Sequence, residues 1–297
     1  MIPTISIGLP VHNGMPYLQE AVESLLAQSR TDFELIISDN ASSDATQDLC
    51  AALAASDKRI IYHRSDRNKG AAWNFNRVFA LSRGKYFRWA AHDDLCHKDL
   101  LLHCAEALEA DKNMVLAYPR TATIDESGRP TRLAGHCIDV SNARAFRRFG
   151  SLICVNHACL PVFGLVRREA LAKTRLIGSY VASDRVLLAE LALHGRFHEV
   201  PIVLFYHREH PKRSTRAHNM QSRTAWFDPS KAGGVVFPNW RLLKEYTCSL
   251  RRSPLEPGER SICWFQFLPW IAANWRGMIE DVLAGVKRLL PSRVPPA

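Results

Sequence analysis

The sequence has no run of about 20 apolar residues, so a membrane-spanning helix is not expected. The nearest candidate, Ile262 to Ile271, is short and contains Pro269. It also has no G-x-G-x-x-G after its first apolar segment. The turn there reads PVHNGMPYL, with Gly14 as its single glycine, so the dinucleotide fingerprint is missing and an oxidoreductase reading is demoted. The GxxxxGK[ST] phosphate loop is missing too. Eight cysteines, at 50, 96, 104, 137, 154, 159, 248 and 263, form neither a CxxC nor a disulfide-like pattern. Reduced thiols in a cytosolic compartment are the simplest expectation. Cys154, His157 and Cys159 are the one metal-like grouping; without a fourth ligand they read better as buried, inert thiols. The opening MIPTISIGLPVHNG lacks a basic region and is not expected to be a signal peptide.

Acidic residues are outnumbered, 29 against 39 Lys and Arg, giving a formal charge of +10 and a pI of about 9.4. That balance suits nucleic acid, an acidic membrane surface or a phosphorylated substrate, without choosing among them. A nucleic-acid-binding protein has the charge and the tryptophans in its favour, but no RNP, helix-turn-helix or zinc-finger pattern. With 297 residues, 47% hydrophobic, the chain can bury one large core or two modest ones.

What is present is an alternation. TISIGL (4–9), ELIIS (34–38), RIIYH (59–63), 85–90 and 114–118 read as strands. Helical periodicity lies between them: Leu18, Ala21, Val22, Leu25 and Leu26 share a face, and 71–81 and 98–110 follow the same rule. Asn13 and Pro16 stand where a cap and a first-turn proline belong, and Ser42 to Asp44 open the second helix. Such βαβ repetition predicts a mostly parallel sheet with helices on both faces. Pro10 to Asn13, Asp39 to Asp44 and His92 to Asp94 follow strands directly, which puts them on the carboxyl edge where such sheets bind ligands. Asp125 to Gly128 is a turn signal. SDRVLLAELALH (183–194) reads as a helix capped by Ser183, with Asp184 in its first turn, and 197–206 as a strand.

PVHNGMPYLQEAVESLLAQ, FELIISDNASSDAT and NKGAAWNFNRVFALSRGKYFRWAAHDD, in this order and spacing, resemble the N-terminal half of the family 2 glycosyltransferases of the GT-A fold. The likeness is good over 4–118, looser through Ser183-Asp184 and Tyr206 to His210, and fades after about 220. It implies an α/β, GT-A-like domain over 1–215, with a donor half (1–120) and an acceptor half (121–215), and a helical C-terminal extension over 216–297. Carried over residue by residue, Asp94 is the metal ligand and Asp93 the ribose or donor-sugar contact, although His92 alters the usual D-x-D pattern. Asp39 is the base or ribose contact, Pro10 and His12 form the floor, and Arg67 is a base or phosphate contact. Asp184 is the general base, and His210 a second metal or phosphate contact. With His210 at a phosphate, Lys212, Arg213 and Arg216 would strengthen phosphate binding or approach anionic lipid; plain surface charge is the default for these three. Each role has a plain structural alternative: either aspartate after the strand can cap a helix, Arg67 can be a solvated surface arginine, and a first-turn Asp184 is favourable by itself by about 0.3–1 kcal/mol.

The resemblance implies an enzyme: a Mn2+- or Mg2+-dependent, inverting transferase that moves a sugar from a UDP-sugar to a glycan or lipid-linked acceptor in bacterial surface-polysaccharide assembly. QSRTAW (221–226) does not have the Q-x-x-R-W spacing of processive synthases, so transfer of single sugars is expected. A nucleotide-sugar-binding domain without catalysis is the alternative. From Trp264 to Arg293 aromatic, aliphatic and basic residues alternate at near-helical spacing. This segment fits an amphipathic helix on an anionic membrane surface, giving a cytoplasmic protein peripheral at the inner face of the cell membrane, and equally a helix packed on the catalytic domain or in a dimer contact. A chain ending near 255 is expected to stay soluble.

Overall fold

The computed structural model describes residues 2–134, 138–211, 213, 219–234 and 236–289, with the side chains of 288 and 289 left out. Cys137, Lys212, Arg216, the 215/216 boundary, Leu290 and Arg293 lie outside the described residues.

The first half is the expected alternation: β1 (Ile5–Val11), α1 (Leu18–Leu26), β2 (Phe33–Asp39), α2 (Thr46–Ser56), β3 (Ile60–Arg64), α3 (Ala71–Leu81) and β4 (Tyr86–Trp89). There follow β5 (Leu95–Cys96), α4 (Leu100–Ala110), β6 (Met114–Ile124), β7 (Pro130–Leu133), α5 (Ala145–Cys154), β8 (Leu165–Arg167), α6 (Arg168–Leu171), α7 (Ser183–His194) and β9 (Arg196–Arg208). Among the described residues four α-helices follow: α8 (Met220–Phe227), α9 (Pro238–Arg252), α10 (Pro257–Phe265) and α11 (Phe267–Leu289). The strands form one mixed sheet in the order β3-β2-β1-β4-β8-β6-β9-β5, with β7 paired to β6. β1 to β4 run parallel; β8 enters antiparallel between β4 and β6, and β6 and β9 are parallel again.

Strand alternation divides the core between the two faces of the sheet. Ile5, Ile7, Leu9 and Val11 of β1 point to one face, where they meet Leu18, Val22 and Leu25 of α1 and Leu101, Cys104 and Leu108 of α4. Ile36, Phe87 and Trp89 point to the other, onto Val78 of α3, Phe149 of α5 and Leu187 and Leu191 of α7. Gly8 lets α3 approach that face, since a Cβ there would lie 2.6 Å from Val78 Cγ2.

Two caps differ from expectation. Asn13 does not cap α1, which starts at Leu18 after Tyr17. Its backbone is left-handed (φ 54°), and its side chain accepts from Ser43 N at 2.8 Å while its own N–H donates to Ser42 Oγ. It therefore ties the β1–α1 loop to the β2–α2 loop. Ser183 is the first residue of α7 and not its cap; left-handed Ala182 precedes it, and the Ser183 hydroxyl is buried without a partner among the described residues.

The C-terminal helices are built into the fold. Tyr246, Leu250, Leu255, Cys263, Phe267, Trp270 and Met278 are buried in the same core as α5 and α7, so a chain cut near 255 would open that core. The opposite side of α11 is not covered: Leu268, Ile271, Trp275, Ile279, Val282 and Val286 are exposed by 37 to 64%. Among the described residues, no helix is long and apolar enough to cross a membrane.

Candidate active site

The carboxyl ends of β1, β2 and β4 converge because their registers align Val11 with Asp39 and Gly8 with Trp89. Asn74 of α3 fixes this edge, donating to the carbonyls of Ser38 (2.8 Å) and Val11 (3.3 Å) and accepting from the Ser38 hydroxyl. Asp39 is fully buried here. It accepts from Ser42 N at 2.8 Å and from the Tyr62 hydroxyl at 3.1 Å, and it ion-pairs with Arg64 of β3. Burial and the Asp39 charge push the Tyr62 phenol up to about 12, so it stays a hydrogen-bond donor. Pro10 is buried in β1 beside this group, while His12 and Arg67 stand exposed on the adjoining loops.

The acidic pair lies after β4. β5 pairs antiparallel with β9, Leu95 against Tyr206, which brings the end of β9 alongside Asp94. Asp94 is buried, and its Oδ1 accepts from Arg208 N at 2.9 Å and from His207 Nδ1 at 3.0 Å; Nδ1 is also 3.2 Å from Oδ2. Arg213 donates to His207 Nε2. A guanidinium can only donate, so Nε2 carries the lone pair and Nδ1 the hydrogen that faces Asp94. Asp93 Oδ2 instead meets His210 Nε2 at 2.9 Å, and the His210 ring packs on Tyr17 with centroids 4.9 Å apart. Burial alone would raise the Asp93 pKa. The charge of His92 and the hydrogen bond and charge of His210 outweigh it, so the carboxyl is held below the usual carboxylate range.

Arg208, 1% exposed, locks this arrangement. It donates from Nε to the Asp93 carbonyl (2.8 Å) and from Nη1 to the Glu126 carbonyl (2.9 Å), and pairs through Nη2 with Glu20 (2.6 Å). Its guanidinium also lies 4.8 Å from the Tyr17 ring centroid. His207, Tyr17, Glu20 and Arg64 carry no role expected from the sequence, and Arg208 only that of preceding His210 in the segment Tyr206 to His210. Two histidines flanking an arginine at the end of an apolar strand were the available signal.

Asp184 stands apart from this cluster in its described contacts. Its Oδ1 accepts from Arg185 N at 2.9 Å, and its other neighbour is the Cys159 thiol, which burial and then the Asp184 charge raise far above the ordinary thiol range. Cys159 Sγ is 3.9 Å from His157 Nδ1, whereas Cys154 turns away to the Gln266 carbonyl.

Mg2+ and Mn2+ take one or two protein ligands and fill the other positions with phosphate oxygens and water. Asp93 supplies a carboxylate oxygen of the kind such ions take, and His210 Nε2 joins it as a ligand only by giving up the hydrogen it donates to Asp93 Oδ2. Among the described residues no three His, Cys, Asp or Glu side chains converge as a closed metal cage.

The fold has counterparts in known proteins. The chain is similar to S. aureus TarS in complex with UDP-GlcNAc, with a TM-score of 0.67, 14% identity, and 94% of this chain and 79% of that one covered. It is also similar to the mannosyltransferase PcManGT from Pyrobaculum calidifontis in complex with GDP-Man and Mn2+, with a TM-score of 0.51, 16% identity, and 99% and 89% covered. In sequence it is 31% identical over 127 residues to the chondroitin synthase of Escherichia coli, covering 43% of this chain and 18% of that protein. The chain spans half or less of the length of the curated relatives it matches. The model of glycosyl transferase family 2 matches residues 6–175, which hold β1 to β8 and the acidic pair. A match over more than half of the chain, on a GT-A architecture, shows that the chain belongs to glycosyl transferase family 2.

Proposed function

We propose that this chain is a metal-dependent, inverting glycosyltransferase that moves one sugar at a time from a nucleoside-diphosphate sugar to a glycan or lipid-linked acceptor in polysaccharide assembly. The observation that carries the reading is the different engagement of the two adjacent carboxylates. Asp94 is engaged by His207 and Arg208 N, whereas Asp93 shares one oxygen with His210. That assigns the metal to Asp93 with His210 and makes Asp94 the residue that positions their loop, a reversal of the order expected from the sequence. A bound divalent cation supplies neutralisation of the departing diphosphate. Asp39, with Tyr62 and Arg64, offers the polar contact for ribose or base over the floor at Pro10, with His12 and Arg67 at the rim. Asp184 takes the proton of the acceptor hydroxyl as that oxygen attacks the anomeric carbon, while the bond to the diphosphate oxygen breaks on the opposite face. Uridine is the base we assign, in line with the UDP-GlcNAc bound by TarS.

The test is a panel of UDP-, dTDP- and GDP-sugars, read by thermal stabilisation with and without Mn2+ and then by transfer. One nucleotide sugar should stabilise the protein only with metal, and Asp93→Asn should abolish that effect. Equal stabilisation and activity in a chelator would sink the metal assignment. One observation favours a second reading, a donor-binding domain without catalysis: Asp184 bonds its own helix start, as a structural carboxylate would. Donor binding without transfer to any acceptor would select it.

The uncovered side of α11 fits the surface of an anionic bilayer. It presents Trp275 with Arg276 stacked on it at 5.4 Å, a continuous aliphatic stripe, and Lys287 beside the stripe. This reading keeps the protein cytoplasmic and peripheral, with lipid-linked acceptors within reach. The full chain should sediment with phosphatidylglycerol vesicles, less so at high salt. Replacing Trp275 and Ile279 with glutamate should release it. A stable dimer that ignores vesicles would give this face to a second copy of the chain.

A further inference from the structure

A cavity of about 360 Å³ opens between the 179–181 loop, α8 and the first turns of α9. We propose that it binds a negatively charged saccharide, a sugar unit carrying a carboxylate or a phosphate, as the acceptor; this rests on the transferase reading above. Its walls combine three aromatic rings, Tyr180, Phe237 and Trp240, with three cations, Lys231, Arg241 and Lys244, and include no carboxylate. Trp240 is 45% exposed although its indole N–H is held by the Met278 carbonyl at 3.0 Å. The ring is thus fixed and offers its face, as sites for flat apolar surfaces do. Arg241 lies 4.8 Å from the Tyr180 ring centroid and pairs with Glu245, and Lys231 is held by the Ser179 carbonyl and Asp228. Lys244 is exposed and has no acidic partner among the described residues.

The cavity also lies where an acceptor must be. On one side its wall α8 reaches the donor loop: a Cβ at Gly70 would sit 2.4 Å from the Phe227 carbonyl. On the other, the 179–181 loop runs directly into α7 and Asp184, and Tyr246, five residues after Arg241 in α9, lies within reach of the Asp184 charge. A neutral sugar would use the rings and leave Lys244 unanswered, with Arg241 and Lys231 only partly balanced by Glu245 and Asp228. A bare anion would use the cations and leave the rings wet.

The test is calorimetric titration of the full chain with four probes: a glucuronate-containing disaccharide, a disaccharide 6-phosphate, the uncharged disaccharide and inorganic phosphate. At least one charged disaccharide should bind about tenfold or more tightly than either the uncharged one or inorganic phosphate, and the tighter of the two identifies the anion as carboxylate or phosphate. Lys244→Glu, a change at an exposed position, should weaken that binding by about tenfold, a charge-reversal effect on an anionic ligand. UDP titration of the same variant reports that it is folded. Failure of both charged disaccharides to bind, equal binding of the uncharged one or of inorganic phosphate, or indifference to Lys244→Glu overturns the proposal. If the charged probe binds through Lys244 but no nucleotide sugar binds, the transferase reading fails and the saccharide site stands.

Discussion

At the scale of single residues, the site depends on which oxygen meets which donor. Asp184→Asn keeps the oxygen that accepts from Arg185 N and removes the proton acceptor. Turnover should therefore fall by about 100-fold or more with donor affinity unchanged, measured by initial rates beside UDP titration; wild-type turnover would return Asp184 to a helix-start role. His210→Asn should weaken metal-dependent donor binding more than His207→Asn, because His210 hydrogen-bonds Asp93 whereas His207 hydrogen-bonds Asp94. If the histidine variants rank the other way in a Mn2+ titration, Asp94 is the ligand. Asp39, Asp93, Asp94 and His210 were readable as polar residues beyond apolar strands. Which hydrogen-bond partners Asp93 and Asp94 take was not, because those partners lie 113 to 117 positions away in the sequence. No local pattern encodes that encounter.

At the scale of elements, periodicity located the long helices well: 71–81 and 183–194 are helical over those bounds. β5 and β8, of two and three residues, are too short to show an alternation and were missed. β6 was expected to stop at 118 but runs to 124, because after a register shift its second half pairs with the end of β9. That extension matters for Arg208, which β9 presents to the turn between β6 and β7. Arg208→Met keeps most of the volume but frees the Asp93 and Glu126 carbonyls and leaves Glu20 unpaired. Glu20 is 53% exposed and rehydrates, so unfolding in urea should show a loss of about 1–3 kcal/mol, the scale for leaving part-buried carbonyls unpaired, and donor affinity should drop as the acidic loop slackens. An unchanged urea midpoint would mean that water replaces the guanidinium at no cost.

At the scale of the whole molecule, stability should depend on pH in a defined direction. Burial lowers the pKa values of His63, His157 and His194, with Arg77, Arg185 and Lys173 adding to the effect in turn. Each is neutral in the fold at a pH where the unfolded chain, with an ordinary value near 6.5, already takes up a proton. Their contribution is complete above about pH 6.5 and is lost as pH falls through the lowered values. The thermal midpoint should drop between pH 7 and pH 5. His194→Leu, which removes a ring whose Nε2 is buried without a partner among the described residues, should flatten that drop; an unaltered slope would place the acid sensitivity elsewhere. The order of the sheet has a further consequence, for recombination between relatives. Because β8 is inserted between β4 and β6, a piece ending at residue 120 would cut β6 in mid-strand and strip the outer edge of β4, leaving unpaired backbone ready to capture another chain. A chimera meant to exchange acceptor preference while keeping the donor site should therefore carry its crossover beyond Arg167, where the strand that seals the donor half is already complete.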